Sequence, residues 1–282
     1  MKFRDRLRAC ALVFAAVLFG AAYATAASPA HVIKLDPYRV RLRTVEASVN
    51  GVQGRFLFDT GGGLTALSPS FAAKAGCTPW ARTSGMTMTG ERVDGPRCDN
   101  LRLRVGSFEH QAAIVGILDP AKFLDPSAEP LDGIIALDLF DGRTVTLDLA
   151  ANLFVVESSS SSAERIKGAR ELPARLGREL QGLALDVYVA IATAKGPVWF
   201  TIDSGNSSTT LVSKHIAAEL GVEVTDGLHS GKFDVAPGIH VESDRLFTPD
   251  LTLDGNLGMP FLQLWTTTFD LKRGRVWVKR AT

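Results

Sequence analysis

Two carboxylates stand in matching surroundings in this chain. Asp59 opens Asp59-Thr60-Gly61 after the run Phe56-Leu57-Phe58, and Asp203 opens Asp203-Ser204-Gly205 after Phe200-Thr201-Ile202. An ionised Asp that follows a buried strand is costly unless it is hydrogen-bonded or faces a cleft. The glycine two places on permits a tight turn and a close approach of backbone. If equivalent turns meet at a pseudo-symmetry axis, the carboxylates lie together. Like charges about 3 Å apart do not both ionise easily, so such a pair holds one proton and titrates as a unit. That pair has a use. The ionised Asp takes a proton from water while the protonated one polarises a substrate carbonyl, a chemistry that needs no cofactor, metal or covalent enzyme intermediate. The hydroxyls of Thr60 and Ser204 are suited to hydrogen-bond across the axis and lock both turns.

The elements that must position these turns are themselves repeated. Segment 131–156 (LDGIIALDLFDGRTVTLDLAANLFVV) aligns without gaps on 253–278 (LDGNLGMPFLQLWTTTFDLKRGRVWV) at an offset of 122, which places Asp132 on Asp254 and Asp148 on Asp270. The two Asp turns align at an offset of 144, with Phe56 on Phe200, Thr65 on Thr209 and Leu67 on Leu211. The first copy is therefore longer by 22 residues between its two motifs, a stretch that includes the Cys77–Cys98 region. Between the copies lies ESSSSSAERIKGARELPARLGREL, whose serine run, charges, Gly and Pro mark a linker. The expected organisation is a leader over 1–26, a first lobe over 30–156, a linker over 157–180 and a second lobe over 181–282.

Each copy reads the same way. A partly alternating strand (YRVRLRTVEASV, LALDVYVAIAT) leads to a turn at Asn50-Gly51 or near Lys195-Gly196. A short apolar strand then enters the Asp turn, as expected of a strand buried on both faces. A short amphipathic helix follows, SPSFAAKAG or SKHIAAEL, with Ser68 or Ser213 as cap and Gly76 or Gly221 at its end. The terminal TVTLDL…LFVV and TTFDL…RVWVK read as closing hairpins. The fold class is all-β with short helices.

The 282 residues carry a formal charge of +1, of which the first ten residues contribute +3. A near-neutral body gives no reason to expect nucleic acid or a membrane surface as partner. Those basic residues precede the apolar stretch ACALVFAAVLFGAAYATAA and the small-residue site Ala24-Thr25-Ala26, the pattern of a cleaved secretory signal. The expectation is an exported protein, periplasmic or extracellular if the source is a bacterium, with no membrane segment after signal removal. Of three cysteines, Cys10 leaves with the signal. Cys77 and Cys98 are then either a disulfide or two buried thiols, the oxidising compartment favouring the bridge. The five histidines are scattered without zinc-site spacing. Asp132 and Asp254 precede glycines and read as turn caps. Asp148 and Asp270 read as partners of backbone on the closing strands, and Asp138 has no counterpart, Pro260 standing in its place. No G-x-S-x-G element accompanies the serine-rich runs, which argues against a serine hydrolase.

With these residues in view the chain resembles the aspartic proteases, and within them the secreted bacterial retropepsin-like kind with two protease-type lobes in one polypeptide. The resemblance rests on VNGVQGRFLFDTGGGLTALSP…AAKAG, LDGIIALDLF, KGPVWFTIDSGNSSTTLVS…AAELG and LDGNLGMPFL, and spans roughly 38–156 and 183–278. It implies two pseudo-symmetric β-barrel lobes of the acid-protease fold. It implies Asp59 and Asp203 as the catalytic dyad, with Thr60, Gly61, Ser204 and Gly205 in support. The apolar-apolar-Gly element that threads behind each turn falls on Ile134-Ile135-Ala136 and Asn256-Leu257-Gly258. A peptide or protein substrate would bind as an extended strand beneath a hairpin flap, for which Ser84–Cys98 is the candidate. The flap tyrosine of two-lobed enzymes is absent there, Tyr38 and Tyr188 lying elsewhere in the sequence. A monomer suffices to assemble the dyad, so a homodimer is not required.

Four positions depart from that pattern. Gly62 and Asn206 stand where Ala, Ser or Thr is usual, Ala136 adds a methyl where backbones approach closely, and Asn256 places a polar group where an apolar one is expected. None removes a catalytic acid, but each is able to shift the carboxylates, and about 1 Å of misplacement can cost about 100-fold in rate. The sequence thus supports two functions, an aspartic endopeptidase or a weak or inactive module of the same fold that binds peptide or another extended ligand.

Overall fold

The computed structural model describes residues 30–282. The expected leader over 1–26 lies outside the described residues. Among those described, no helix is long and apolar enough to cross a membrane. Over the described residues the fold is all-β, with three sheets and a few short helices.

Two sheets repeat one another strand for strand. The eight-stranded sheet runs Asp36–Tyr38, Leu42–Val49, Val52–Phe58, Gly133–Ile135, Ala66–Leu67, Phe108–Ile117, Arg92–Val105, Trp80–Met86. The seven-stranded sheet runs Ala174–Gly177, Asp186–Thr193, Gly196–Ile202, Gly255–Leu257, Thr210–Val212, Ile239–Phe247, His229–Ala236. Position by position the orders coincide, and the eight-stranded sheet has one strand more. That strand, Trp80–Met86, occupies the extra sequence of the first copy and forms a hairpin with Arg92–Val105. Cys77 and Cys98 tie the base of this insertion as a disulfide, their Cα atoms 6.1 Å apart.

The third sheet belongs to both copies. The closing hairpins Thr144–Asp148 with Leu153–Val156 and Trp265–Asp270 with Arg275–Arg280 join through an antiparallel pairing that sets Thr146 opposite Thr268. These two residues are equivalent in the duplication, so the pseudo-twofold axis passes between them, where their hydroxyls meet at 2.9 Å. Asp148 and Asp270 serve backbone as expected, accepting from Ala151 N and from Lys272 N and Arg273 N.

Behind each Asp turn runs the strand of its partner element, paired in parallel. Phe56 lies beside Gly133 and Phe58 beside Ile135, and Phe200 lies beside Gly255 and Ile202 beside Leu257. A Cβ at Gly133 or Gly255 would fall inside contact distance of neighbouring atoms, which is why the sequence repeats Asp-Gly there. The preceding Asp132 and Asp254 cap the strands, accepting from Arg55 N at 2.9 Å and Trp199 N at 2.7 Å. Fully buried Phe56, Phe58, Phe140, Phe154 and Phe200 pack the interior against these crossings.

Two local expectations differ from the structure. In the first copy the helix Pro69–Lys74 forms, with the Ser68 hydroxyl accepting from Phe71 N. In the second it shrinks to a single 3-10 turn, Ala217–Leu220, ending at Gly221 with φ +66°. There Ser213 does not cap a helix. Its hydroxyl accepts from Leu251 N at 3.2 Å and so is committed to a loop. The expected linker is also more ordered than its composition suggests. Ser158 caps the helix Ser159–Arg165, Arg170–Leu172 pairs with Arg275–Arg280, and Ala174–Gly177 pairs with Asp186–Thr193.

Candidate active site

The two Asp turns meet at the pseudo-twofold axis. Thr60 N donates to the Ser204 hydroxyl and Ser204 N donates to the Thr60 hydroxyl, each at 3.0 Å. Each hydroxyl then donates onward to the other copy's strand, Thr60 Oγ1 to Ile202 O at 2.8 Å and Ser204 Oγ to Phe58 O at 3.0 Å. Thr60 and Ser204 are buried, so the lattice is sheltered from water. The backbone of each Asp is fixed by its partner element, Asp59 N donating to Ile135 O and Asp203 N to Leu257 O, both at 3.0 Å.

This lattice brings the carboxyl groups of Asp59 and Asp203 within hydrogen-bonding reach of one another. The glycines permit it. A Cβ on Gly61 would lie 2.6 Å from Asp203 Cγ, and one on Gly205 would lie 2.5 Å from Asp59 Oδ2. Each turn therefore packs its glycine against the other turn's carboxyl. Burial, the neighbouring charge of Asp203 and the hydrogen bond between the two groups push the Asp59 carboxyl well above the usual carboxylate range.

The surroundings of the two carboxyls are unequal. Asp59 accepts from Gly61 N at 2.9 Å. Asp203 accepts from Gly205 N at 2.7 Å and Asn206 N at 3.2 Å on one oxygen, and from Asn256 Nδ2 at 2.6 Å on the other. Asn256 is fully buried. The sequence pattern makes it a disturbance, a polar group in an apolar place, but the structure pairs it with the carboxylate. Ala136 is likewise accommodated, its N–H donating to Thr65 Oγ1 and its methyl clear of Gly62.

A cavity of about 410 Å3 borders the first turn. Gly61, Gly62, Gly63 and Leu64 form one wall, Gly85, Met86, Thr87 and Met88 of the hairpin another, and Glu179, Asp186 and Tyr188 a third. The hairpin stands in the expected place of the flap, with its tip folded by Gly90 N donating to Thr87 O. That tip reaches the second copy. Met88 O accepts from Thr252 N at 2.9 Å and Thr252 Oγ1 at 3.2 Å, and Met88 Sδ lies 3.1 Å from Asn256 Nδ2.

Three residues of this region are not singled out by sequence pattern as parts of a site. Asp186 stands where its first-copy equivalent is the buried Leu42. Burial, followed by the charges of Glu179, Asp203 and Asp138, pushes its carboxyl up to about 7. Asp138, which lacks a counterpart in the second copy, takes both the N–H and the hydroxyl of Thr65, and burial pushes it up to about 7 as well. Tyr188 lies far from the hairpin in sequence yet lines the same cavity, and burial raises its phenol to about 12. The one signal for Asp186 is a charged residue in an otherwise apolar alternation.

Ser213, His215 and Asp254 also stand in a row, at 2.7 and 2.9 Å. Ser213 is fully buried and its oxygen is engaged by Leu251 N, so no substrate reaches it. Among the described residues no group of His, Cys, Asp and Glu is placed to hold a metal.

Residues 45–139 match the family described as aspartyl protease, a stretch that holds Asp59-Thr60-Gly61 and its partner element. No curated protein matches the chain. Among solved structures the chain is similar to basic 7S globulin from soybean, with 11% identity and a TM-score of 0.57 over 90% of this chain and 95% of that one. It is similar also to conglutin gamma, a basic 7S globulin from lupine seeds, with 11% identity and a TM-score of 0.54 over 89% and 95% of the two chains. At that identity the likeness is one of fold. The chain has an acid-protease-like fold, and its first half carries an aspartyl-protease match.

Proposed function

We propose that this protein is an exported aspartic endopeptidase that hydrolyses extended peptide segments, with Asp59 and Asp203 as its catalytic dyad. The observation that carries the reading is the adjacency of the two carboxyls, with Asp59 raised by burial and by its partner's charge. A pair sharing one proton supplies both functions that peptide hydrolysis needs. The ionised carboxylate accepts a proton from water as the water oxygen bonds to the carbonyl carbon. The protonated carboxyl gives its hydrogen to the carbonyl oxygen. On collapse of the tetrahedral intermediate the C–N bond breaks, the amine nitrogen takes the proton that the first carboxyl accepted from water, and a hydroxyl of the intermediate returns its proton to the second carboxyl, which restores the pair. Thr60 and Ser204 keep the carboxyls in register, and Gly61 and Gly205 let them approach. The peptide lies in the cleft beneath the Trp80–Met86 hairpin, pairing its backbone with strand edges there. Both halves of the site come from one chain, so a monomer is competent.

A second reading has one observation in its favour. The hairpin tip is bonded to Thr252 and touches Asn256, so it is closed down onto the second copy in the free protein, which suits a module that holds an extended ligand without cutting it. A peptide-library digest separates the two. The wild type is expected to cleave peptides between about pH 3 and 7, and Asp59→Asn and Asp203→Asn each to lose at least about 100-fold. Peptides recovered intact while bound to well-folded wild type would establish the binding module instead. Cleavage that survives either substitution would refute the dyad.

A further inference from the structure

The two copies place different groups behind their carboxyls, and the difference has a direction. In the second copy Thr209 N, a group that can only donate, points at Asn206 Oδ1 at 3.2 Å, and Thr209 Oγ1 donates there at 2.8 Å. The Asn206 amide is thereby oriented with Nδ2 outward, donating to Thr209 O at 3.0 Å and Asn256 Oδ1 at 2.8 Å. Asn256 in turn must present Nδ2 to Asp203 Oδ2, at 2.6 Å. Flipping either amide would set oxygen against oxygen or N–H against N–H in a buried site, at the cost of unsatisfied polar groups. The relay therefore runs one way, from a backbone N–H to a carboxylate.

The first copy has no such relay. Gly62 stands in the place of Asn206 and Ile134 in the place of Asn256. Its Thr65 donates instead to Asp138, with no link to Asp59. Among the described residues the donor to Asp59 is the single N–H of Gly61, against three donors on Asp203. Hydrogen bonds to the charged form of a carboxyl favour that form.

We propose that Asn256, oriented by Asn206, is a positioning residue that fixes Asp203 as the ionised member of the pair and Asp59 as the member that holds the proton. The assignment rests on the dyad reading above and deepens it. Asp203 is the group that accepts the proton of water, and Asp59 the group that donates to the carbonyl oxygen. The charged groups around the pair do not reverse this order. Asp186 acts on both members and adds negative charge, with Glu179 and Asp138 beyond it. The raised proton affinity of Asp59 agrees. The positions that depart from the aspartic-protease pattern, Asn206 and Asn256, are then the device that breaks the symmetry of the duplication.

The test titrates the pair in the free protein by carboxyl carbon NMR of Asp-labelled chain, and measures the pH profile of kcat/KM beside it. In the wild type the Asp59 resonance is expected to follow the higher of the pair's two apparent titration steps. In Asn256→Leu the lower apparent value is expected to rise by about one unit, narrowing the gap, and the acid limb of kcat/KM to rise with it. Asn206→Gly, which keeps Asn256 but removes its orienting partner, is expected to move both readouts the same way by less. It decides the matter if Asn256→Leu does not fold. An Asp59 resonance that titrates first, or a gap unchanged in a folded variant, would overturn the proposal. If the titration behaves as expected and no peptide is cut, the protease reading fails while the proton assignment stands. If peptide is cut and the gap is unchanged, the proton assignment fails while the protease reading stands.

Discussion

Alanine at Gly61 and at Gly62 would test the site's geometry within a single turn. The methyl of Gly61→Ala would stand 2.6 Å from Asp203 Cγ, 2.7 Å from its Oδ1 and 2.9 Å from its Cβ. The Asp203 carboxyl is not free to swing aside, because Gly205 N, Asn206 N and Asn256 Nδ2 all hold it. Relief requires the turn or the carboxyl to move by roughly 1 Å, a displacement that costs about 100-fold in rate. Overpacking of this kind also destabilises by about 1–3 kcal/mol. At Gly62 the same methyl would meet Asp59 Oδ2 at 3.2 Å and Ala136 Cβ at 3.5 Å. A shift of a few tenths of an ångström absorbs that, and the expected loss is less than about 10-fold. Peptide hydrolysis and urea denaturation on the same preparations read both effects. A folded Gly61→Ala protein with activity within a few-fold of wild type would refute the reasoning, as would a Gly62→Ala protein equally impaired.

Thr60→Ala removes a hydroxyl that donates to Ile202 O and accepts from Ser204 N. It is expected to cost about 2–4 kcal/mol, because both partners are left buried and unpaired. Thr60→Ser, which copies the second turn, should stay within about 1 kcal/mol of wild type, both measured by urea denaturation. Asp138 gives a pH signature. Its carboxyl is raised to about 7 in the fold by burial, so the native state holds the proton more tightly than the unfolded chain. Its contribution is therefore most favourable below about pH 4 and is lost as pH rises from there to about 7, by on the order of 2–4 kcal/mol. Asp138→Asn keeps the acceptor for Thr65 and removes the charge. The variant should exceed wild type in stability at pH 8, with the difference shrinking toward pH 4. A variant less stable than wild type at pH 8 would contradict this.

Much of the fold was legible because duplication leaves a gapless signal. The closing hairpins, the Asn50-Gly51 turn and the Asp-Gly crossings stand where spacing placed them, each governed by residues adjacent in the chain. The second helix was not legible. SKHIAAEL has a helical pattern, but Ser213 bonds to Leu251 of a distant loop, and that contact outcompetes local propensity. The serine run reads as linker because composition does not reveal a capped helix end or two strands that find partners on other elements.

The same division holds at the site. Residue order alone specifies that two Asp turns exist, that each follows a buried strand, that each is flanked by glycine and that they belong to equivalent halves. Those are matters of local order, fixed by residue type and spacing. The inequality of the carboxyls arises in three dimensions. Three donors gather on Asp203, one of them from Asn256, which lies 53 residues away in the chain. Asp186 and Tyr188 enter the cavity from the other copy's sheet. Packing of the two halves decides which side chains surround each acid, and through burial and hydrogen bonding it decides where the proton resides.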